Sequence, residues 1–316
     1  MDRSEPNERA LSVEFRQLEA LTAVAEHRTF SAAARALHTV QSNISTHVSK
    51  LERELEVELV DRANNRLTPE GEVVVARARR ISAELRALTS DVASVQAEVV
   101  GTTVLGLIGT TGRWLTPTLV RLMPERHPRV RLVVAEATTS GLLPQLENGH
   151  IDLAIVNLPL ESPEFDVQLL FEEDLVLIAP QNHPLAAHKN INIVELGDHA
   201  LILGPPASAM RRTLDAAAKQ VGIHFTTIAE VDGVRLQASL AFDGFGATIV
   251  PRSAAPNWLS GSWVLIPIDG MPRRQVGLAQ RRHSQLSAPA HALLSVMDDA
   301  LRSAAEHYPE IHIAQA

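Results

Sequence analysis

The chain has no cysteine among its 316 residues. That excludes disulfides, thiolate metal sites and any thiol-based redox switch. Aromatic residues are scarce: seven Phe, three Trp and one Tyr leave little to stack on bases, so single-stranded nucleic acid is a poor partner. No stretch approaches the ~18 consecutive apolar residues that cross a bilayer, so no membrane association is expected. The opening residues, MDRSEPNERALSVEF, are charged and lack an apolar signal core, which predicts a cytoplasmic protein. Basic charge is not in excess either: 29 Lys and Arg stand against 37 Asp and Glu, a formal net charge of −8. Through Gly71 the count is nine basic to twelve acidic, so a nucleic-acid interface here depends on where the cations sit. With 45% apolar residues the chain is long enough for two or three cores.

What is present begins with three amphipathic helices over residues 14–71. Phe15, Leu18, Leu21, Val24 and Ala25 recur at helical spacing, then Phe30, Ala33, Ala34 and Leu37, then Ile44, Val48, Leu51 and Leu55. His38, Thr39 and Val40 separate the later two, which fits the short turn of a helix-turn-helix. The third helix turns outward Gln41, Ser42, Asn43, Ser45, Thr46, His47, Ser49 and Lys50, all small or able to hydrogen-bond. A helix in the major groove needs such a face, because bulky apolar side chains cannot pair with base edges or phosphates. A plain solvated face has the same composition. Arg35, Lys50, Arg53, Arg62 and Arg66 are candidates for the phosphates and Asn65 for a DNA contact, while Glu52, Glu54, Glu56 and Glu58 fall late in the helix or after it.

From Gly71 to about Val99 no proline or further glycine interrupts the helical pattern. Val74, Ile81, Leu88 and Val95 share one heptad position, and Ala78, Leu85, Val92 and Val99 lie four residues after each. Arg77, Arg79, Arg80, Glu84, Arg86, Asp91 and Glu98 stay outside this seam. Such spacing predicts a coiled-coil dimer, although a helix lying on its own domain is the alternative. A dimer places two reading helices on one duplex and predicts a pseudo-palindromic site in double-stranded DNA.

After Gly101 strands and helices alternate. Strands are predicted at 103–108, 130–136, 151–156, 175–179, 200–203, 227–231, 247–250, 263–268 and 275–281, with helices at 113–127, 141–148, 210–221 and 234–242. The reading is α/β with mostly parallel sheets. Ligands in such folds sit at strand C-terminal ends against helix N-termini. Three candidate walls follow: Gly109-Thr110-Thr111-Gly112, Thr138-Thr139-Ser140, and Pro205-Pro206-Ala207-Ser208. Their hydroxyls suit a small anion, and they suit ordinary helix caps equally well. Arg113, a cation in a first helical turn, either awaits an anion or is solvated.

These words together resemble the LysR-type transcriptional regulators. The resemblance rests on F15-R16-Q17-L18, F30-S31-A32-A33-A34-R35-A36-L37-H38, Q41-S42-N43-I44-S45, L59-V60-D61-R62 and L67-T68-P69-E70-G71. Later words are G149-H150-I151-D152-L153-A154-I155, F171 through P180, and G244-F245-G246-A247-T248-I249-V250-P251, and the likeness runs over 13–303. It implies a winged helix-turn-helix at 13–71 and a linker, or dimerisation, helix at 72–100. An α/β effector-binding domain resembling periplasmic binding proteins follows at 101–305, with subdomain I at 101–170 and 274–303 and subdomain II at 172–268. The chain then crosses between lobes near 170–173 and 268–274. Thr110, Thr138, Asn157, Pro205 and Ala207 fall on effector positions, and the resemblance implies a homotetramer and a contact with RNA polymerase. Three departures stand out. The wing between Arg62 and Leu67 is short, Val40 replaces a capping Ser so that the cap passes to Thr39 or Gln41, and Thr46 stands where an Arg is frequent. The absence of cysteine excludes the peroxide-sensing chemistry that some members use.

Other chemistries find little support. The glycines of 106–112 do not follow GxGxxG and no P-loop Lys comes after them. His183, His188 and His199 lack metal-ligand spacing, and no GxSxG or nucleophile–base pair occurs. The expectation is a non-enzymatic regulator without metal or cofactor, switched by a small-molecule effector that reorients two lobes and the DNA-binding heads. A solute-binding protein is the rival, and would need a signal peptide and no helix-turn-helix.

Overall fold

A computed structural model of the chain describes residues 12–95, 98–282 and 284–314. They form two compact units: residues up to Thr89 with Asn148–His150, and Ser90–Glu147 with the chain from Ile151 onward.

In the first unit α1 (Phe15–His27), α2 (Phe30–Ala36) and α3 (Gln41–Leu55) pack around Leu21, Ala33, Ile44, Val48 and Leu51, all at most 1% exposed. Thr29 caps α2 by accepting from the Ala32 N–H at 3.1 Å. His38, at φ 52°, makes the tight turn to α3. The cap of α3 is Val40 itself, without a side-chain bond, so neither Thr39 nor Gln41 takes that place. The Thr39 hydroxyl instead accepts from Asn43 Nδ2 at 3.0 Å, bracing the first turn from outside. The short wing is β1 (Val60–Asp61) paired antiparallel with β2 (Arg66–Leu67), and Asn65 turns at φ 50°.

Helix α4 (Pro69–Ser94) starts with Thr68, whose hydroxyl accepts from Gly71 N and donates to Glu58 O. Proline in the first helical position suits φ there and forfeits only an unpaired N–H. Gly71 is required by contact: a Cβ there would lie 2.1 Å from Leu59 O. Gly71→Ala is therefore expected to destabilise the DNA-binding unit by about 1–3 kcal/mol through overpacking, read as a lowered unfolding midpoint in denaturant. The predicted seam needs correction at both ends. Ala78 is fully buried in the core of its own unit and so faces no partner, while Val74 is half-buried against that core. The helix stops at Ser94, and Val99 packs against the core of the second unit. What remains exposed is Ile81, Leu85, Leu88, Val92 and Val95, spaced four and three residues apart.

The second unit holds two lobes. Lobe I is a six-stranded sheet ordered β14-β6-β13-β5-β3-β4, and lobe II one ordered β10-β9-β11-β7-β12-β8. Lobe I comprises β3 (Gly101–Leu107), α5 (Gly109–Arg126), β4 (Val130–Glu136), α6 (Thr139–Glu147), β5 (Leu153–Asn157) and β6 (Phe165–Glu173), then β13 (Arg274–Arg281), α9 (Ala288–Ala305) and β14 (Ile311–Ile313). Lobe II comprises β7 (Leu175–Pro180), β8 (Ile191–Asn192), β9 (Ala200–Leu203), α7 (Ala209–Gln220), β10 (Thr226–Glu230), α8 (Val234–Phe242), β11 (Ala247–Pro251) and β12 (Trp263–Asp269).

The sheets are mixed, not mostly parallel. Pairs β3/β4, β3/β5, β9/β10, β9/β11 and β8/β12 are parallel. Pairs β5/β13, β6/β13, β6/β14, β7/β11 and β7/β12 are antiparallel. The double crossing between lobes brings β7 into lobe II and β13 into lobe I, each antiparallel to both of its neighbours. The first crossing is the single residue Asp174, so residues 170–173 belong to β6, and Phe171 is wholly buried in lobe I. Lobe I also extends past 303 to β14, beyond the expected boundary.

Candidate nucleic-acid interface and effector cleft

Helix α3 buries Ile44, Val48 and Leu51 and leaves its other side open. Gln41, Ser42, Asn43, Thr46, Lys50 and Arg53 are exposed, with Arg35, Arg62, Asn65 and Arg66 on neighbouring segments. Ser45 and Ser49 are half-buried, and His47 turns partly inward with its Nδ1 buried and unpaired. The Thr46 hydroxyl is spent on Ser42 O at 2.8 Å, a bond to the helix's own backbone. Sequence reading missed Glu52. Its carboxylate accepts from Leu59 N and Val60 N and holds Arg62 Nη2 at 2.8 Å, which also donates to Ser49 Oγ at 2.8 Å. Glu52 thus fixes the wing to α3 and aims Arg62, which lies 5.8 Å from the Phe30 ring. In the wing turn, Asn64 and the Ala63 and Asn64 N–H groups donate to Asp61 and hold its carboxyl below the usual range.

In the second unit two of the expected wall hydroxyls, Thr138 and Ser208, serve as helix caps. Thr110 and Thr111 are 4% and 0% exposed, so neither residue is open to solvent. Thr110 Oγ1 accepts from Arg274 Nη1 at 2.8 Å, and Thr111 Oγ1 is buried without a partner. Thr138 accepts from Gly141 N at the start of α6 and bonds Ser140 Oγ at 3.1 Å. Thr139 Oγ1 accepts from Asn157 N at 3.1 Å, leaving Asn157 Oδ1 buried and unpaired. Ser208 caps α7 through Arg211 N, Pro205 O accepts from Ser208 N, and Ala207 O accepts from Arg212. Arg113 is not simply solvated: its Nη1 donates to Ala254 O of lobe II at 3.1 Å, and burial, reinforced by Arg235, pushes its pKa down.

Two features carry no local sequence signal. One is a buried cluster at the lobe crossing. Glu173, wholly buried, pairs with Arg274 and accepts from Ser253 N, so it ties both lobe I strands to the lobe II backbone. The other is a cavity of about 450 Å³ lined by Asn157, Leu158, Met210, Arg212, Arg273 and Arg274 among others. Of the nine expected effector residues only Asn157 lines it. Arg113 lines a different cavity, about 580 Å³, beside Trp114, Trp258 and Tyr308. Sequence alone shows these arginines only as surface-type residues, because the partners of Arg274 are 101 and 164 positions away.

Comparison with known proteins decides the family. Residues 96–302 match the family described as LysR substrate binding domain, and residues 15–72 match bacterial regulatory helix-turn-helix protein, lysR family. The chain belongs to the LysR family. This LysR-type protein is a DNA-binding transcriptional regulator with an effector-binding domain. A probable hydrogen peroxide-inducible genes activator of Streptomyces viridosporus is 34% identical to it, over 90% of this chain and 94% of the relative. The DNA-binding transcriptional dual regulator OxyR of Escherichia coli (strain K12) is 31% identical over 86% and 90%. A full-length OxyR variant from Pseudomonas aeruginosa matches the structure with a TM-score of 0.74 at 26% identity, covering 96% of this chain and 98% of the other. Full-length CbnR complexed with its target DNA matches with a TM-score of 0.68 at 25% identity, covering 92% and 99%. No helix of this LysR regulator, among its described residues, is long and apolar enough to cross a membrane.

Proposed function

We propose that this regulator works in the cytoplasm as a homodimer, joined through α4, that reads a pseudo-palindromic promoter site with α3 and the wing. In this reading Gln41, Ser42, Asn43 and Ser45 meet base edges, while Arg35, Lys50, Arg53, Arg62 and Arg66 meet phosphates. Two dimers assemble into a tetramer, and a small organic anion between the lobes of the effector domain alters the spacing of the heads and the contact with RNA polymerase. The carrying observation is the free polar face of α3 combined with an exposed aliphatic stripe on the helix that follows it. Few cations per head mean weak nonspecific binding, which a second copy raises by avidity.

A mobility shift with the chain's own upstream DNA tests this. Retardation that prefers that DNA over random duplex is expected, and its absence at low salt removes the proposal. Gln41→Ala is expected to cost about 1–3 kcal/mol on the preferred site and little on random DNA. Lys50→Ala is expected to weaken both alike and to flatten the salt dependence by about one phosphate contact. Equal losses on both duplexes for the Gln41 change refute its base-reading role.

A further inference from the structure

We infer that the effector is an amphipathic hydroxy carboxylic acid, seated in the cavity between α7 and the start of β13, with Arg212 anchoring its carboxylate. The inference rests on the proposal that the second unit binds an effector between its lobes, and it supplies the chemistry of that ligand.

Charge is the first argument. Three arginines and no Asp or Glu line the cavity. Arg273 has a counterion in Asp174, with Nε 2.7 Å from Oδ1, and Arg274 has one in Glu173. Arg212 bonds only the carbonyl of Ala207, and among the described residues no carboxylate pairs with it. It also sits in the first turns of α7, where a cation opposes the helix dipole unless an anion is close. Arg212 is exposed, so of the three lining charges it is the one that meets solvent instead of a carboxylate and is open to a ligand.

Unmet hydrogen bonds are the second argument. Arg274 is 6% exposed and its Nε donor has no partner, while Asn157 Oδ1 is a buried acceptor with none. Both residues line this cavity. Buried polar groups left unpaired are rare and call for a ligand or water. A carboxylate answers the donor and a hydroxyl answers the acceptor. Asn157 belongs to lobe I and Arg212 to lobe II, so such a molecule bridges the lobes and its binding energy favours their closed arrangement. Leu158, Pro159 and Met210 supply apolar surface for its body, and about 450 Å³ lies at the lower end of small-molecule sites. Oxidation is not the trigger in this scheme, since the chain holds no thiol.

The test uses the full chain, with thermal shift and calorimetry against 4-hydroxybenzoate, 3-hydroxybutyrate, the parent acids benzoate and butyrate, and the uncharged 4-hydroxybenzamide. A hydroxy acid is expected to raise the melting temperature more than its parent acid, and the amide not at all. Arg212→Ala is expected to weaken acid binding about tenfold or more, with Arg212→Lys recovering part of it. Asn157→Ala is expected to erase the preference for the hydroxy acid while keeping that for acid over amide. Hydrogen peroxide alone is expected to leave DNA retardation unchanged. The inference is overturned if no acid binds, if the amide binds as well as the acid, if Arg212→Ala binds as the parent chain does, or if peroxide alone shifts DNA binding. DNA retardation without an acid response sinks the ligand assignment and spares the regulator; an acid response without retardation does the reverse.

Discussion

Glu173→Ala is expected to destabilise the effector domain by about 3–5 kcal/mol, because it strands the Arg274 guanidinium, which among the described residues pairs with no other carboxylate. Arg274 is 6% exposed and Glu173 is wholly buried. Removing the carboxylate leaves Arg274 with the Thr110 hydroxyl alone and takes the acceptor from Ser253 N. Whole domains are held by about 5–15 kcal/mol, so such a loss is a large fraction of the total. For a unit of this size it corresponds to a fall of about 10 °C in melting temperature. The double variant Glu173→Leu with Arg274→Met is expected to recover most of that, since an apolar pair of similar volume owes no desolvation penalty. Calorimetry on both variants checks the argument. A single variant that melts within a degree or two of the parent chain would mean the pair is dispensable.

Leu85→Asp is the second. Ile81, Leu85, Leu88, Val92 and Val95 are between 42% and 86% exposed, too regular an apolar stripe to be left in water. In a two-stranded seam Leu85 lies in the apolar contact, and an aspartate there buries one carboxylate from each chain in it. The variant is expected to be monomeric by light scattering at micromolar concentration. DNA affinity is expected to fall about a hundredfold or more, because one head then acts without the effective concentration of the other. Its circular dichroism should stay near that of the parent chain, since Leu85 packs in neither core. A variant that remains dimeric refutes the seam.

Legibility followed the range of the forces involved. Helices α1 to α3 were readable because their apolar spacing and the short His38–Val40 turn are local signals. Strands β4 and β9 and helix α8 lie at their expected limits for the same reason. Helix α9 was not predicted although Ser287 and Pro289 mark its start and Leu293, Val296, Met297, Ala300 and Leu301 its buried face. Strand β6 was missed because only Asp174 separates it from β7, so two strands read as the flank of one. The role of Ala78 was misassigned because a heptad pattern does not say which surface the helix meets first.

Sequence by itself determined the class of the molecule: a polar-faced helix on a helix-turn-helix, an aliphatic repeat after it, an α/β remainder, and no thiol anywhere. These rest on residue type and spacing within a few turns of chain. Tertiary structure decided which hydroxyls are already spent as caps, that Glu173 and Arg274 lock the lobe crossing, and that Arg212 and Asn157 share one cavity. Those facts are pairings across long stretches of chain, where charge and hydrogen-bond satisfaction depend on what folding brings alongside.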